Sequence, residues 1–192
     1  MRGARRTLIA CVLVAIVAAL PVFADERVDI TATDGVQLIG HLAGRHGPGV
    51  VLVPGPDGDV PTLEGPATII AARGFRVLRF DLRGRGDSDG PADSTAIERD
   101  VEGAFRYMIG RKIRPTYLVS AASSASAAVL VATRVSAAAV VIVGSPLALP
   151  SPSAPMHIET MPGELTGTLV PEVLALKLHE LAPPPAEAAG VR

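Results

Sequence analysis

From residue 25 onward the spacing of apolar residues along the chain changes several times, and each change predicts an element. Val28 to Thr33 and Val36 to Leu42 alternate apolar and polar residues around Asp34-Gly35, a dipeptide that supplies the turn a β-hairpin needs. Gly49 to Val53 is short, β-branched and apolar throughout, which predicts a strand buried on both faces. Pro66 to Arg73 predicts a helix closed by Gly74, and Phe75 to Phe80 the next strand. Thr95 and Glu98 fit a capping box, in which hydroxyl and carboxylate satisfy free backbone donors. Behind the box Ile97, Val101, Ala104, Phe105 and Met108 recur at helical spacing. Tyr117 to Val119 predicts a strand, the Ser/Ala run ending near Thr133 a helix, and Ala138 to Val143 a further strand. Strands alternating with helices predict the α/β class, a mostly parallel sheet with right-handed crossovers and helices on both faces.

The texture changes at Pro146, because nine of the 17 prolines fall beyond Pro115. Within this stretch Met156 to Thr160 predicts a short strand. Pro171 opens a helix whose apolar stripe is Val170, Val173, Leu174, Leu178 and Leu181, and Pro183, Pro184 and Pro185 stop it. Residues 25–182 therefore read as one domain and 183–192 as a loose tail.

Composition narrows the function classes. With 3% aromatic residues and no Trp, the core is built from Val, Leu, Ile and Ala. A formal charge of −1 excludes the strongly basic balance of a generic nucleic-acid binder. At the N-terminus Arg2, Arg5 and Arg6 precede an apolar run from Leu8 to Leu20, then Pro21 and the small-ended Val22-Phe23-Ala24. This is the pattern of a signal peptide over residues 1–24, cleaved after Ala24 and read by the export machinery. The apolar run is shorter than the roughly 18 residues that span a bilayer. The expected product is exported, periplasmic or secreted. Cys11, the single cysteine, leaves with the leader, so no disulfide and no Cys-based metal site is expected. No P-loop or dinucleotide fingerprint occurs, and no cofactor or metal is expected. Asp87-Ser88-Asp89-Gly90 lacks the twelfth-position glutamate of a calcium loop and reads as a solvated turn.

Four stretches then carry a resemblance: Asp34-Gly35-Val36-Gln37-Leu38, Val50-Val51-Leu52-Val53-Pro54-Gly55, Arg73-Gly74-Phe75-Arg76-Val77-Leu78 and, most specific, Phe80-Asp81-Leu82-Arg83-Gly84-Arg85-Gly86-Asp87-Ser88. Together they resemble the α/β-hydrolase fold superfamily, in particular its exported lipase, esterase and serine-aminopeptidase-like members. The likeness is strong from Asp25 to Pro146 and faint beyond. It implies an incomplete α/β-hydrolase fold truncated at the C-terminus, since a complete domain of the family has more strands than residues 25–192 supply. The loop from Asp81 to Ser88 is a fold marker in which glycines turn the chain off a strand and Asp81 and Arg83 tie the loop to backbone.

The resemblance also implies a four-part catalytic apparatus: a nucleophile on a sharp elbow, a histidine base, an acid that orients it, and backbone donors for the oxyanion. The elbow, G-x-S-x-G in relatives, reads Ser120-Ala121-Ala122-Ser123-Ser124-Ala125-Ser126 here. Without a gap the nucleophile position is Ala122. A shift of one selects Ser123 and a shift of two Ser124, while the same serines also fit helix capping and close packing. On the oxyanion side, relatives carry His-Gly where this chain has Pro54-Gly55-Pro56-Asp57, so Pro56 falls on the donor position without an N–H. The N–H groups of Asp57 and Gly58 are the available substitutes. The acid position aligns with Thr166, with Glu164 the nearest carboxylate. The base belongs after one more strand than the 192 residues contain, leaving His157 and His179 as substitutes. His179, beside Lys177 and Glu180, reads as a surface residue, as do His41 and His46 near the hairpin end. The expectation is an exported α/β-hydrolase-like protein with a degraded active site, inactive or very weak. One alternative is a serine hydrolase of small esters or peptides using Ser123 or Ser124, Glu164 and His157 or His179. The other is a binding module that offers an exposed sheet edge to a protein partner.

Overall fold

The computed structural model describes residues 25–145, 149–150, 156–163, 165 and 170–181. The expected leader at 1–24, the expected proline stop at 183–185 and the expected tail lie outside the described residues. Seven strands run in the order β1-β2-β4-β3-β5-β6-β7. They are β1 (Asp25–Thr31), β2 (Gln37–Ala43), β3 (Gly49–Val53), β4 (Arg76–Phe80), β5 (Thr116–Ala121), β6 (Val140–Val143) and β7 (Ile158–Met161). The hairpin β1–β2 is antiparallel and joins β4 antiparallel, while β4, β3, β5, β6 and β7 are mutually parallel. Among the described residues four α-helices complete the layers: α1 (Glu64–Ala72), α2 (Ile97–Gly110), α3 (Ala125–Val135) and α4 (Val170–Leu181). None of the described helices is long and apolar enough to cross a membrane.

All five residues of β3 are buried, as a central strand covered on both faces demands. Its side chains alternate between two cores. Val51 and Val53 join Leu78, Phe80, Leu118 and Ile142 beneath α2 and α3. Val50 and Leu52 join Val77, Tyr117, Val119 and Val141 beneath α1 and α4. On α2 the predicted stripe Ile97, Val101, Ala104, Phe105 and Met108 is buried. On α4 the stripe rotates: Leu174, Ala175 and Leu178 are buried, whereas Val173 is 53% exposed. The helix docks through the residues nearest α1, and Val173 lies on its outer side.

The capping box does not form as expected. A 3₁₀ turn, Ser94–Ala96, precedes α2, so the cap moves back to Asp93, whose Oδ1 accepts from the Thr95 N–H at 2.9 Å and the Thr95 hydroxyl at 2.7 Å. Glu98 turns instead to Arg134 on α3.

Two buried carboxylates organise the loop after β4. Asp81 Oδ1 accepts from the Val60 N–H at 2.7 Å and Oδ2 from the Asp87 N–H at 3.3 Å, binding the loop to the β3–α1 connection. Gly86 has φ +49°, and a Cβ there would stand 2.1 Å from Asp81 Oδ2, so only glycine permits this closure. Arg83 differs from the expectation. Its guanidinium binds carboxylates rather than backbone, with Nη1 and Nη2 on Asp34 at 2.8 and 2.9 Å and Nη2 on Asp100 at 2.7 Å. Asp100 is wholly buried on α2, and its Oδ2 also accepts the Arg83 N–H at 3.1 Å. Hairpin turn, β4 loop and α2 thus share one cation.

Removing that cation isolates a buried carboxylate. Arg83→Ala is expected to cost about 3–5 kcal/mol in urea unfolding. Arg85→Ala, which breaks only the exposed Arg85–Asp57 pair, is expected to cost at most about 1 kcal/mol. Equal losses would contradict the assignment. Arg83 also holds the Asp34 carboxyl well below the usual carboxylate range. As pH falls, the unfolded chain takes up this proton first, so the stabilisation is complete above the unfolded carboxylate pKa of about 4 and declines below it. Asp34→Asn should therefore flatten the decline of Tm between about pH 5 and about pH 3 relative to the wild type.

Candidate functional site

β3 leads through α1 to β4 on one side, and the chain then returns past β3 to β5 on the other. The carboxyl ends of β3 and β5 therefore flank a topological switch point, where open α/β sheets leave a crevice. A cavity of about 370 Å³ lies there, walled by Pro54, Leu63, Ala122, Ser123, Val143 and Leu165.

The turn from β5 into α3 forms its floor. Ala121 is extended at φ −62°, ψ 149°, and Ala122–Ser124 make a 3₁₀ turn that runs directly into the helix. Among the described residues only Lys112 and Ser136 are non-glycine positions with positive φ. The strained strand-to-helix turn that lifts a nucleophile is therefore absent from residues 120–126. Ala122 occupies the first position of the turn, and Gly144 packs against it so closely that a Cβ at 144 would stand 2.9 Å from the Ala122 Cβ.

Ser123 and Ser124 have different fates. Ser123 is exposed on the cavity wall, and its hydroxyl has no hydrogen-bond partner among the described residues. A Cβ on Gly55 would stand 2.9 Å from that hydroxyl, so glycine at 55 keeps the space above it open. Ser124 is 2% exposed and its Oγ donates to the Pro54 carbonyl at 2.7 Å. It stands at the N-cap position of α3 without making a side-chain cap bond. Its hydroxyl clasps the end of β3 instead, because the preceding 3₁₀ turn leaves that carbonyl nearer than the helix amides.

On the oxyanion side, Pro56 offers no N–H. The Gly58 N–H, one of the two expected substitutes, is spent on the Gly55 carbonyl at 2.9 Å. The other, that of Asp57, lies beside its own carboxylate, which pairs with Arg85 at 2.8 Å.

The imidazoles sit elsewhere. His157 precedes the first residue of β7, about 13 Å of strand from Met161 at the carboxyl end. It contacts Glu159 at 3.2 Å. Lys177, and secondarily His157, hold the Glu159 carboxyl below its ordinary value. His179 donates from Nε2 to the Arg73 carbonyl at 2.8 Å and packs on Phe75, also at the amino end of the parallel strands. His179 is exposed, as expected of a surface residue, and its ring also anchors α4 to the α1–β4 turn. His41 is half-buried against Asp25 on the hairpin, and His46 is exposed. Glu164 and Thr166 lie outside the described residues. Ser123 and Ser124 are neighbours at one end of the sheet, and His157 is not brought to them.

Leu63, Thr62 and Leu165 line the cavity without having been singled out by sequence, since each falls in a connection with no periodicity. Arg83, Asp34 and Asp100 were legible in principle. Asp100 stands three residues from Ile97 and four from Ala104 on the apolar stripe, a place for a carboxylate only when it is paired.

No protein-family model and no curated protein matches the chain. Solved structures do. DcsB in complex with its substrate analogue superposes with a TM-score of 0.56 at 20% identity, over 62% of this chain and 45% of that one. The Pyrococcus furiosus esterase Pf2001 gives 0.51 at 21%, over 62% and 50%. The epoxide hydrolase VrEH1 from Vigna radiata gives 0.54 at 19%, over 68% and 41%. The chain spans half or less of the length of each of these structures. Sheet order, hairpin, switch-point crevice and these neighbours converge on one architecture: the chain has the α/β-hydrolase fold.

Proposed function

We propose that this is an exported α/β-hydrolase-fold protein whose active-site end no longer hydrolyses esters or amides. One observation carries the reading: Ala122, which the resemblance aligns with the nucleophile, lies in a 3₁₀ turn whose residues have no positive φ. A methyl group cannot attack, and an unstrained turn does not raise a neighbouring hydroxyl towards a bound carbonyl. Two further features act in the same direction. Pro56 withholds an oxyanion donor, a loss of about 2.7–4 kcal/mol of transition-state stabilisation. His157 and His179 are held at the amino end of the strands by Glu159 and by the Arg73 carbonyl, beyond the reach a general base requires. The second reading, a serine hydrolase acting through Ser123, is favoured by that residue's exposed hydroxyl on the cavity, which has no hydrogen-bond partner among the described residues.

A fluorophosphonate probe separates the two. The purified protein is expected to remain unlabelled and to leave short-chain p-nitrophenyl esters at the buffer rate, and Ala122→Ser alone is expected to change neither. Labelling that disappears in Ser123→Ala would establish the serine hydrolase and overturn the proposal.

Export rests on the Arg2, Arg5, Arg6 cluster, the apolar run from Leu8 to Leu20 and the small residue Ala24. N-terminal sequencing of the protein recovered outside the cytoplasm is expected to begin at Asp25. A chain that stays inside the cell with Met1 intact would refute it.

A further inference from the structure

We propose that the cavity at the carboxyl end of the sheet is a binding pocket for a small, neutral, largely apolar ligand that presents one carbonyl oxygen to Ser123. The proposal rests on the reading that this end of the sheet does not hydrolyse. At about 370 Å³ the space falls in the range of small-molecule sites and is more than twice an engineered cavity of about 150 Å³ that takes benzene. It suits a ligand of about two fused rings.

The chemistry of the walls sets the ligand class. Pro54, Leu63, Val143 and Leu165 are apolar, and none of the described residues lining the cavity carries a charge. Asp57 and Arg85 line a separate cavity of about 280 Å³ beyond Pro56, and the two groups neutralise one another at 2.8 Å. An ionised ligand would give up its hydration for walls that offer no counter-charge, whereas a neutral ring system loses little.

One polar contact remains to orient the ligand. The Thr62 hydroxyl is spent on the Asp59 carbonyl at 2.7 Å, and Ser124 on Pro54. Among the described lining side chains the Ser123 hydroxyl alone is a free donor. It stands in the 3₁₀ turn that precedes α3. Gly55 and Gly144 are kept small at the points where a side chain would close over Ser123 and Ala122. The unstrained turn therefore leaves a lined pocket with one free side-chain hydrogen-bonding group among the described residues.

The test uses 2-acetonaphthone, a ketone with no bond to hydrolyse, against 2-naphthoate, its ionised counterpart, in titrations of the purified protein. Saturable one-to-one binding of the ketone is expected, with the carboxylate at least about tenfold weaker. Ser123→Ala should weaken the ketone about fivefold, the loss of one hydrogen bond. Ser123→Phe should abolish binding while leaving the circular dichroism and Tm unchanged, since position 123 is exposed. Equal or tighter binding of the carboxylate, no saturation up to the solubility of the ketone, or undiminished binding to Ser123→Phe would each overturn the pocket. Fluorophosphonate labelling with ester turnover would overturn the inert-site reading instead. Because the ketone cannot be turned over, the two failures remain distinguishable.

Discussion

A single buried guanidinium holds the hairpin, the loop after β4 and α2 in register. Arg83 lies between Asp34 and Asp100, and both carboxylates are bound with at least one contact shorter than 3 Å. Such a group is costly to bury and tolerable only when every donor is matched, so the three elements it joins are interdependent. Asp81, two residues earlier, passes the constraint on. Its carboxylate fixes the Val60 amide, and with it the connection that bends from Pro54 over the crevice. The mouth of the candidate site is therefore positioned by charges that never face it.

Much of the scaffold was legible because local signals agreed with tertiary demand. Asp34-Gly35 sits in the hairpin turn, Gly49–Val53 is buried throughout, and the stripe on α2 faces the core. The misreadings share a cause. Thr95 and Ser124 carry hydroxyls suited to capping, yet a 3₁₀ turn precedes each helix and shifts the capping geometry by two or three residues. Composition cannot distinguish a 3₁₀ entry from a direct α entry, because both suit the same residue types. On α4 Leu174, Ala175 and Leu178 face the core and Val173 does not, so the stripe read from spacing is turned by about one position.

Under the proposed reading the site was legible in its losses more than in its contents. Pro56 and Ala122 can be recognised from residue type alone, as neither can supply the hydrogen-bond donor or nucleophile required there. Which of two adjacent serines faces the crevice depends on the turn's handedness, and only the structure separates the exposed Ser123 from the buried Ser124. The cavity walls come from four different connections, and no spacing rule unites them.

Under the proposed reading the ordinary backbone of the β5–α3 turn has an evolutionary corollary. A strained nucleophile turn stores energy that selection must maintain, and relaxing it makes the domain easier to fold. Return is harder. A serine restored at 122 would gain nothing until the backbone was bent again, an amide reappeared at 56 and an imidazole arrived over the strand ends. No single step improves fitness, so the turn acts as a one-way ratchet, and lineages descending from this chain would diversify by what they hold rather than by what they cleave.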